Sequence, residues 1–229
     1  MRILVLGQGK TGKLVAEVAA ARGHGVHVLD AKENPNAAAL TPPFVAGFDV
    51  VIDFTAPEAV VQNMRAVLAT GGKMVIGTTG WYNKLADMRA LAERKGAGLL
   101  YGTNFSIAVQ VMMKLAQQMG ASLAGASYRF SVLETHHVSK LDKPSGTALS
   151  IVEMVQRGAG NKIGVPIESV REGDAMGTHV LEAASGSERL LLTHEAMSRR
   201  GFAEGAVRAA EWLAKRTGCY DFRDVYAKL

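Results

Sequence analysis

The chain has 229 residues, a net charge of +5, 48% hydrophobic and 21% charged residues. That length allows a sizeable core or two compact domains, and the composition is that of a soluble globular protein. No apolar run approaches the roughly 20 residues of a membrane span, the basic residues are too scattered to imply a nucleic-acid partner, and the single cysteine, Cys219, excludes an intrachain disulfide and fits a reducing compartment. Met1 leads at once into an apolar strand and a glycine turn with no signal-peptide cleavage region, so a cytoplasmic location is expected.

Ile3–Leu6 reads as a short buried strand, followed by the turn Gly7, Gln8, Gly9, Lys10, Thr11, Gly12. A helix over 13–22 comes next, with Leu14, Val15, Val18 and Ala19 on one face; Gly23 and Gly25 stop it, and Val26–Leu29 is a second strand ending at Asp30. Strand, glycine turn, helix, strand and acid is the order of the dinucleotide-binding fingerprint. Gly7 permits the tight turn, Gly9 lets backbone approach a pyrophosphate, and Gly12 lets the helix lie close to the strand. Asp30 follows Gly9 by 21 residues, near the spacing of about 20 at which an acid bonds the ribose hydroxyls. The plain alternative is a glycine-rich turn in another α/β protein. Asp30 repels a 2′-phosphate, which makes NADH the first choice; Lys32 can offset that repulsion and keeps NADPH as a second.

Residues 31–47 show no period and read as a loop or a degenerate short helix. A third strand over 49–53 leads into a helix start, with Thr55 as N-cap, Pro57 at an early helical position and the helix over 59–70. Lys73–Ile76 is a fourth strand, and the turn 77–80 after it is either a ligand-binding turn at a strand's carboxyl end or only a tight turn. A helix over 81–94, with Leu85, Met88 and Leu91 on one face, and a fifth strand over 98–101 complete an alternation that predicts a parallel sheet.

The pattern changes near Asn104. A helix is expected over 107–121, with Val111, Leu115 and Met119 in its apolar stripe, then a strand over 128–134 with Tyr128, Phe130 and Val132 on one face. The segment 134–148 follows on the loop between that strand and a helix. It carries His136, His137 and Lys140 and then Ser145, Gly146 and Thr147 at the helix start. Two groups that titrate near neutrality, a fixed positive charge and a helix amino-terminus suit a small anion; taken singly, the Ser-Gly-Thr run could be only an N-cap. Two long strands over 176–184 and 189–194, with a turn at 185–188, predict antiparallel pairing and hence an α+β second half. A last helix over 202–216 carries the small-residue face Ala206, Ala209, Ala210 and Leu213 and ends at Gly218, and the aromatics of the tail over 220–226 are expected to dock on the first domain.

These residues resemble the 4-hydroxy-tetrahydrodipicolinate reductase (dihydrodipicolinate reductase) family over nearly the whole chain. The segment 134–148 is the most specific piece, supported by 7–12, 53–58, 77–80, 103–106 and the runs 194–199 and 202–208. The resemblance implies a Rossmann-like α/β domain over 1–104 and 201–229 and an α+β substrate-binding and oligomerisation domain with a mixed or antiparallel sheet over 105–200. It also implies a homotetramer and the NAD(P)H-dependent reduction of a cyclic dicarboxylate in lysine and diaminopimelate synthesis. Carried over by motif, His136 is the proton donor and Lys140 polarises the substrate. His137, Ser145, Gly146, Thr147 and Arg199 bind it. The cofactor is held by Gly7, Gln8, Gly9, Lys10, Thr11, Gly12, Asp30, Phe54, Thr55, Gly77, Thr78, Thr79, Thr103, Asn104 and Phe105. The chain is short for the family and trimmed after Asp30, and it has Lys143 where the family has a small residue; that charge either adds to dicarboxylate binding or points to solvent.

A non-catalytic nicotinamide-nucleotide sensor on the same fold would bind cofactor without turnover, and His136, His137 and Lys140 argue against it. Another alternative is a related NAD(P)-dependent dehydrogenase on the same fold, an amino-acid or aldehyde dehydrogenase relative; the latter would need a catalytic cysteine in mid-chain, where there is none. No metal site is expected: neighbouring histidines on an extended segment point to opposite faces, and no Cys/His spacing suits zinc.

Overall fold

The computed structural model describes residues 1–161 and 163–229, in two units, 1–106 with 200–229 and 107–199. In the first unit the strands are β1 (Arg2–Leu6), β2 (Gly25–Leu29), β3 (Val50–Asp53), β4 (Lys73–Ile76) and β5 (Gly98–Tyr101), joined by helices α1 (Lys10–Ala21), α2 (Pro42–Val45), α3 (Pro57–Ala69) and α4 (Leu85–Lys95). Ile3, Leu4, Val5 and Leu6 are all buried because helices cover both faces of the sheet, which is why these strands read as unbroken apolar runs.

The strands pair only in parallel, and one row of residues closes them. Leu29, Leu6, Asp53, Ile76 and Tyr101 are successive register partners across the sheet. Each expected cofactor turn begins on the next residue. The ladder continues one bond further, from the N–H of Gly7 to Leu29 O, of Phe54 to Leu6 O, of Gly77 to Asp53 O and of Gly102 to Ile76 O. The sheet thus presents its turns on one carboxyl edge, the edge at which open α/β sheets bind ligands.

Several local expectations change. Thr55 is not the cap of α3: the N-cap is Ala56, and the Thr55 hydroxyl instead donates to Asp53 Oδ1 at 2.7 Å. Helix α4 starts at Leu85, after a short 3-10 turn over Tyr82–Lys84. The last long helix, α7 (Arg200–Leu213), is earlier and shorter than its period suggested, and Gly218–Asp221 is not a tail but a strand, β10, parallel to β5 at the sheet edge. The full order is β10-β5-β4-β3-β1-β2. Helix α7 packs on α1, where Glu211 takes both ends of the Arg22 guanidinium at 2.8 and 2.7 Å. It also crosses Phe105, whose carbonyl oxygen lies where a Cβ on Gly205 would stand.

The second unit sets helices α5 (Ile107–Leu123) and α6 (Gly146–Gly158) with a mixed sheet of β6 (Arg129–His136), β7 (Ile167–Arg171), β8 (Thr178–Ala184) and β9 (Arg189–Glu195), in the order β7-β6-β8-β9. β8 pairs antiparallel with β9, as the short turn between them predicted; it also pairs antiparallel with β6, and β7 is an additional strand that lies parallel to β6. The α5 stripe is rotated from its expected phase: Val109, Met112, Met113, Ala116 and Met119 are buried, while Val111 and Leu115 are exposed. A helix apolar on most of its circumference gives no unique phase.

α5 and α6 touch backbone to backbone, since a Cβ on Gly120 would stand 2.1 Å from Val155 O and one on Gly158 2.0 Å from Gln117 O. Gly158→Ala must push the helices apart. It is expected to destabilise the protein by about 1–3 kcal/mol, the usual cost of overpacking; a denaturant midpoint equal to that of the wild type would refute the close crossing.

Candidate active site

The carboxyl edge of the first sheet is shaped by the absence of side chains. Gly7 has φ +100, and a Cβ there would lie 2.4 Å from Phe54 O; one on Gly12 would lie 2.0 Å from Gly7 O. Gly9 differs, because a Cβ on it would meet nothing within 4 Å. It is the N-cap of α1 with no side-chain capping bond and no acid in the first turn, so no side chain of the helix start takes up its first N–H groups. Bare glycine in front of an uncapped helix start fits a pyrophosphate.

Behind this edge lies a buried carboxylate. Asp53 Oδ1 accepts from Thr55 N at 2.9 Å, Thr55 Oγ1 at 2.7 Å and Thr78 Oγ1 at 2.8 Å. Its Oδ2 accepts from Asn63 Nδ2 at 2.9 Å, and Asn63 Oδ1 accepts from Asn34 Nδ2 at 3.1 Å. Burial raises the Asp53 pKa, against these bonds. The Thr78 side chain is therefore occupied inside the unit, and Phe105 is buried against Phe222, with ring centroids 4.5 Å apart. The Phe54 ring covers Gly77, where a Cβ would meet it at 2.2 Å. Gln8, Lys10, Thr79 and Thr103 are exposed, Thr11 is half-buried, and Asn104 Oδ1 accepts from Ser106 N at 2.8 Å. Asp30 Oδ1 caps its own turn through the N–H groups of Lys32 and Glu33, at 2.8 and 2.9 Å.

In the second unit β6 runs two residues beyond its expected end. Its inward face then reads Phe130, Val132, Glu134, His136, all buried. Glu134 is wholly buried and accepts twice from Ser145 N, at 3.0 and 3.1 Å, and from Arg171 Nη2 at 3.1 Å. Its Oε2 lies 3.4 Å from His136 Nε2 and 3.8 Å from His179 Nε2. His136 Nε2 is 3.3 Å from His179 Nε2, which is 3.3 Å from Ser145 Oγ. Ser145 is the N-cap of α6, accepting from Ala148 N at 3.1 Å. Beyond the strand, Lys140 Nζ stands 2.7 Å from Asp142 Oδ1, and the Gly146 N–H helps to favour the ionised form of that carboxylate. Arg171 also pins the loop from below, donating to Asp142 O at 2.6 Å.

The charges sort the groups. Burial opposes ionisation of Glu134, but the bonds from Ser145 and Arg171 prevail and bring its pKa down to about 2. Burial lowers the His136 pKa, the Glu134 charge opposes this, and Lys140 and Arg171 add to it. His179 falls to about 4, first by burial and then through His136. The Asp142 carboxyl is pushed up by burial but held below its ordinary value overall by Lys140 and the backbone N–H donors. Near neutral pH the site therefore holds an ionised carboxylate and a neutral His179, and burial favours the neutral form of His136 beside them.

The fold thus brings His136, Ser145 and the Lys140 loop together. His137 is half-buried with Nδ1 2.8 Å from Ser139 Oγ, Gly146 and Thr147 form the first turn of α6, and Arg199 is half-buried with no hydrogen-bond or ion-pair partner among the described residues. Sequence reasoning passed over Glu134, Arg171, Asp142 and His179. The alternation in β8 held a signal: His179, Leu181 and Ala183 share its buried face. Among the described residues Glu134, His136 and His179 bring metal-type ligand atoms within 4.8 Å of one another. The carboxylate already has Arg171 and Ser145 as donors, so the cluster reads as a proton network.

Comparison with known proteins adds an independent finding. The amino-terminal domain pattern of dihydrodipicolinate reductase matches residues 1–105, and its carboxy-terminal pattern matches 108–226. The 4-hydroxy-tetrahydrodipicolinate reductase of Christiangramia forsetii is 32% identical over 100% of this chain and 99% of its own. That of Pseudomonas fluorescens is 39% identical over 78% of this chain and 73% of its own. The fold of a dipicolinate-bound dihydrodipicolinate reductase from Paenisporosarcina sp. TG-14 superposes with a TM-score of 0.78, at 24% identity, over 98% of this chain and 99% of that one.

Because Glu134 is depressed from 4.5 to about 2, its contribution to stability is full above pH 4.5 and is lost as the pH falls through 2. Glu134→Gln is expected to cost about 3 kcal/mol at pH 7 by leaving Arg171 without its counter-charge, with the gap to the wild type closing as the pH falls towards 2. Thermal unfolding across that range checks both; a gap constant with pH would refute the assignment.

Proposed function

The chain belongs to the dihydrodipicolinate reductase family and is an NAD(P)H-dependent oxidoreductase that reduces 4-hydroxy-tetrahydrodipicolinate to tetrahydrodipicolinate; from that premise we propose how its residues divide the work. The observation that carries the reading is the position of Asp142. The chain's own carboxylate pairs with Lys140 and is stabilised by the Gly146 N–H, which supports a carboxylate seat between a lysine and the start of α6. A substrate carboxylate takes that seat by displacing Asp142, with Ser145, Gly146 and Thr147 as donors and His137 and Arg199 as further cationic or polar contacts.

The nicotinamide supplies the hydride. Gly7 to Gly12 hold the pyrophosphate, Asp30 the ribose, and Phe54, Thr55, Gly77, Thr78, Thr79, Thr103, Asn104 and Phe105 border the remainder. NADH is the preferred form and NADPH the second. Reduction of a conjugated ring leaves an enamine-like carbon that needs a proton. Protonated His136 delivers it as a general acid, and Glu134 stabilises the imidazolium before transfer. Lys140 neutralises the carboxylate and withdraws charge from the ring. The domain over 1–104 and 201–229 serves the cofactor and that over 105–200 the substrate.

We further propose a homotetramer acting in the cytoplasm. Exposed Leu133 on β6 and Leu191 on β9, on the sheet face away from α5, support an apolar face of the second unit that a partner chain covers. Among the described residues no helix is long and apolar enough to cross a membrane.

The test is a coupled absorbance assay in which pyruvate, aspartate semialdehyde and the preceding synthase generate the substrate in place, with NADH and NADPH run side by side. His136→Gln is expected to lower kcat by about 10²–10⁴-fold with cofactor affinity retained; an unchanged kcat removes it as the acid. Asp30→Ala is expected to weaken NADH more than NADPH, and equal losses would argue against a ribose contact.

A further inference from the structure

His179 has no part in the mechanism above, yet it touches both of its halves. The ring is buried and stands edge-on to His136 with centroids 5.0 Å apart. Its Nε2 lies 3.3 Å from the proton donor and 3.3 Å from the cap of the carboxylate seat, Ser145 Oγ. Its Nδ1 is buried with no hydrogen-bond partner among the described residues. A bare buried lone pair is tolerated better than a bare buried N–H. The neutral ring therefore carries its one proton on Nε2, where two acceptors compete for it.

Which acceptor wins depends on His136. When His136 is neutral, its Nε2 lone pair accepts the His179 proton. When His136 is protonated, both of its nitrogens are donors, and its Nε2–H turns to Glu134 Oε2, 3.4 Å away. Two N–H groups cannot face each other at 3.3 Å, so His179 then donates to Ser145 Oγ. Ser145 Oγ already accepts from Ala148 N. With both lone pairs used and His136 drawn onto Glu134, the Ser145 O–H is left to donate, and a carboxylate in the seat competes for it with Glu134.

We propose that His179 is a positioning residue that couples the charge on His136 to the carboxylate seat, aiming the Ser145 hydroxyl at the substrate only when the proton donor is loaded. The proposal rests on the roles given above to His136 and Ser145. Its consequence is reciprocal: a bound carboxylate favours protonated His136, and protonated His136 favours the carboxylate. The other groups facing the pair are Glu134 on β6, Arg171 on β7, His194 on β9 with its ring 6.4 Å from His179, and Lys140 and Asp142 on the loop. Glu134 favours the charged state of His136, Lys140 and Arg171 oppose it, and none of them bonds both His136 and Ser145 through one shared proton.

Dipicolinate binding to the full chain, measured by calorimetry between about pH 5.5 and 8.5, tests this without turnover. In the wild type, affinity is expected to fall by up to about tenfold per pH unit through the His136 titration. In His179→Phe, which keeps the ring and loses the N–H, the fall should shrink to about threefold or less per unit, the part left to direct charge attraction. His179→Gln, whose amide N–H reaches the place of Nε2, should restore most of the slope, and Ser145→Ala should flatten it as Phe does. A wild-type slope in His179→Phe, or a Gln variant as flat as Phe, overturns the coupling and leaves His179 a packing residue. Should the Phe variant not fold, a wild-type slope in Ser145→Ala overturns it instead. Equal slopes with normal turnover remove the coupling alone, whereas a wild-type chain that binds no dipicolinate overturns the substrate reading as well.

Discussion

The second unit depends on one buried negative charge. Glu134 sits on an interior strand with no exposure to water, and its carboxylate can remain ionised there only if donors surround it. The donors come from three directions: Ser145 N from the helix start, Arg171 from the neighbouring strand and His136 from two residues along β6. Each bond fixes a part of the site. The Ser145 bond sets where α6 begins, Arg171 carries the underside of the lysine loop, and the carboxylate holds a charge ready for an imidazolium. A buried ion pair of this kind contributes little net stability compared with an apolar substitute. What it supplies is geometry, because its donors come from the helix start and the neighbouring strand and tie both to β6.

The first unit solves the same problem with the same device. Asp53 ends β3 on the closing row of the sheet, and its buried carboxylate gathers Thr55, Thr78 and Asn63. Two turns from different strands are thereby tied to one acceptor, and Asn63 extends the string to Asn34 in the loop after Asp30. In each unit a carboxylate out of reach of solvent ties together the loops of the candidate site. Rigid support beneath mobile chemistry is the expected arrangement for a site built on loops.

The periodic elements were legible because their physics is local. Apolar runs of four residues bounded by glycine gave β1, β3, β4 and β5, and the 3.6-residue stripe gave α1 and α3. Elements whose reason is tertiary were not legible. β10 carries a cysteine, a tyrosine and an aspartate after a glycine and becomes a strand only because β5 offers it an open edge. β7 likewise reads as nothing in particular until β6 is beside it. At the site, residues adjacent in sequence were found and those adjacent only in space were missed: His179 lies 43 positions beyond His136, and only the sheet register brings it there. Thr55 was misread as a cap because a hydroxyl near a helix start has two ways to bond, and the buried acid won.

The last strand of the sheet also has a bearing on how the protein is made. The first unit is interrupted by residues 107–199 and completed by α7 and β10. On the ribosome, the segment 107–199 emerges whole while β5 still has an unpaired edge and the face that α7 covers is bare. The second unit can therefore fold on the nascent chain before the first is closed, and the two glycine contacts at Gly12 and Gly205 are satisfied at opposite ends of synthesis. An unpaired strand edge is an invitation to the wrong partner. Closure of the sheet at residue 218 thus makes the arrival of β10, rather than the emergence of the glycine turn, the moment at which the first unit is completed.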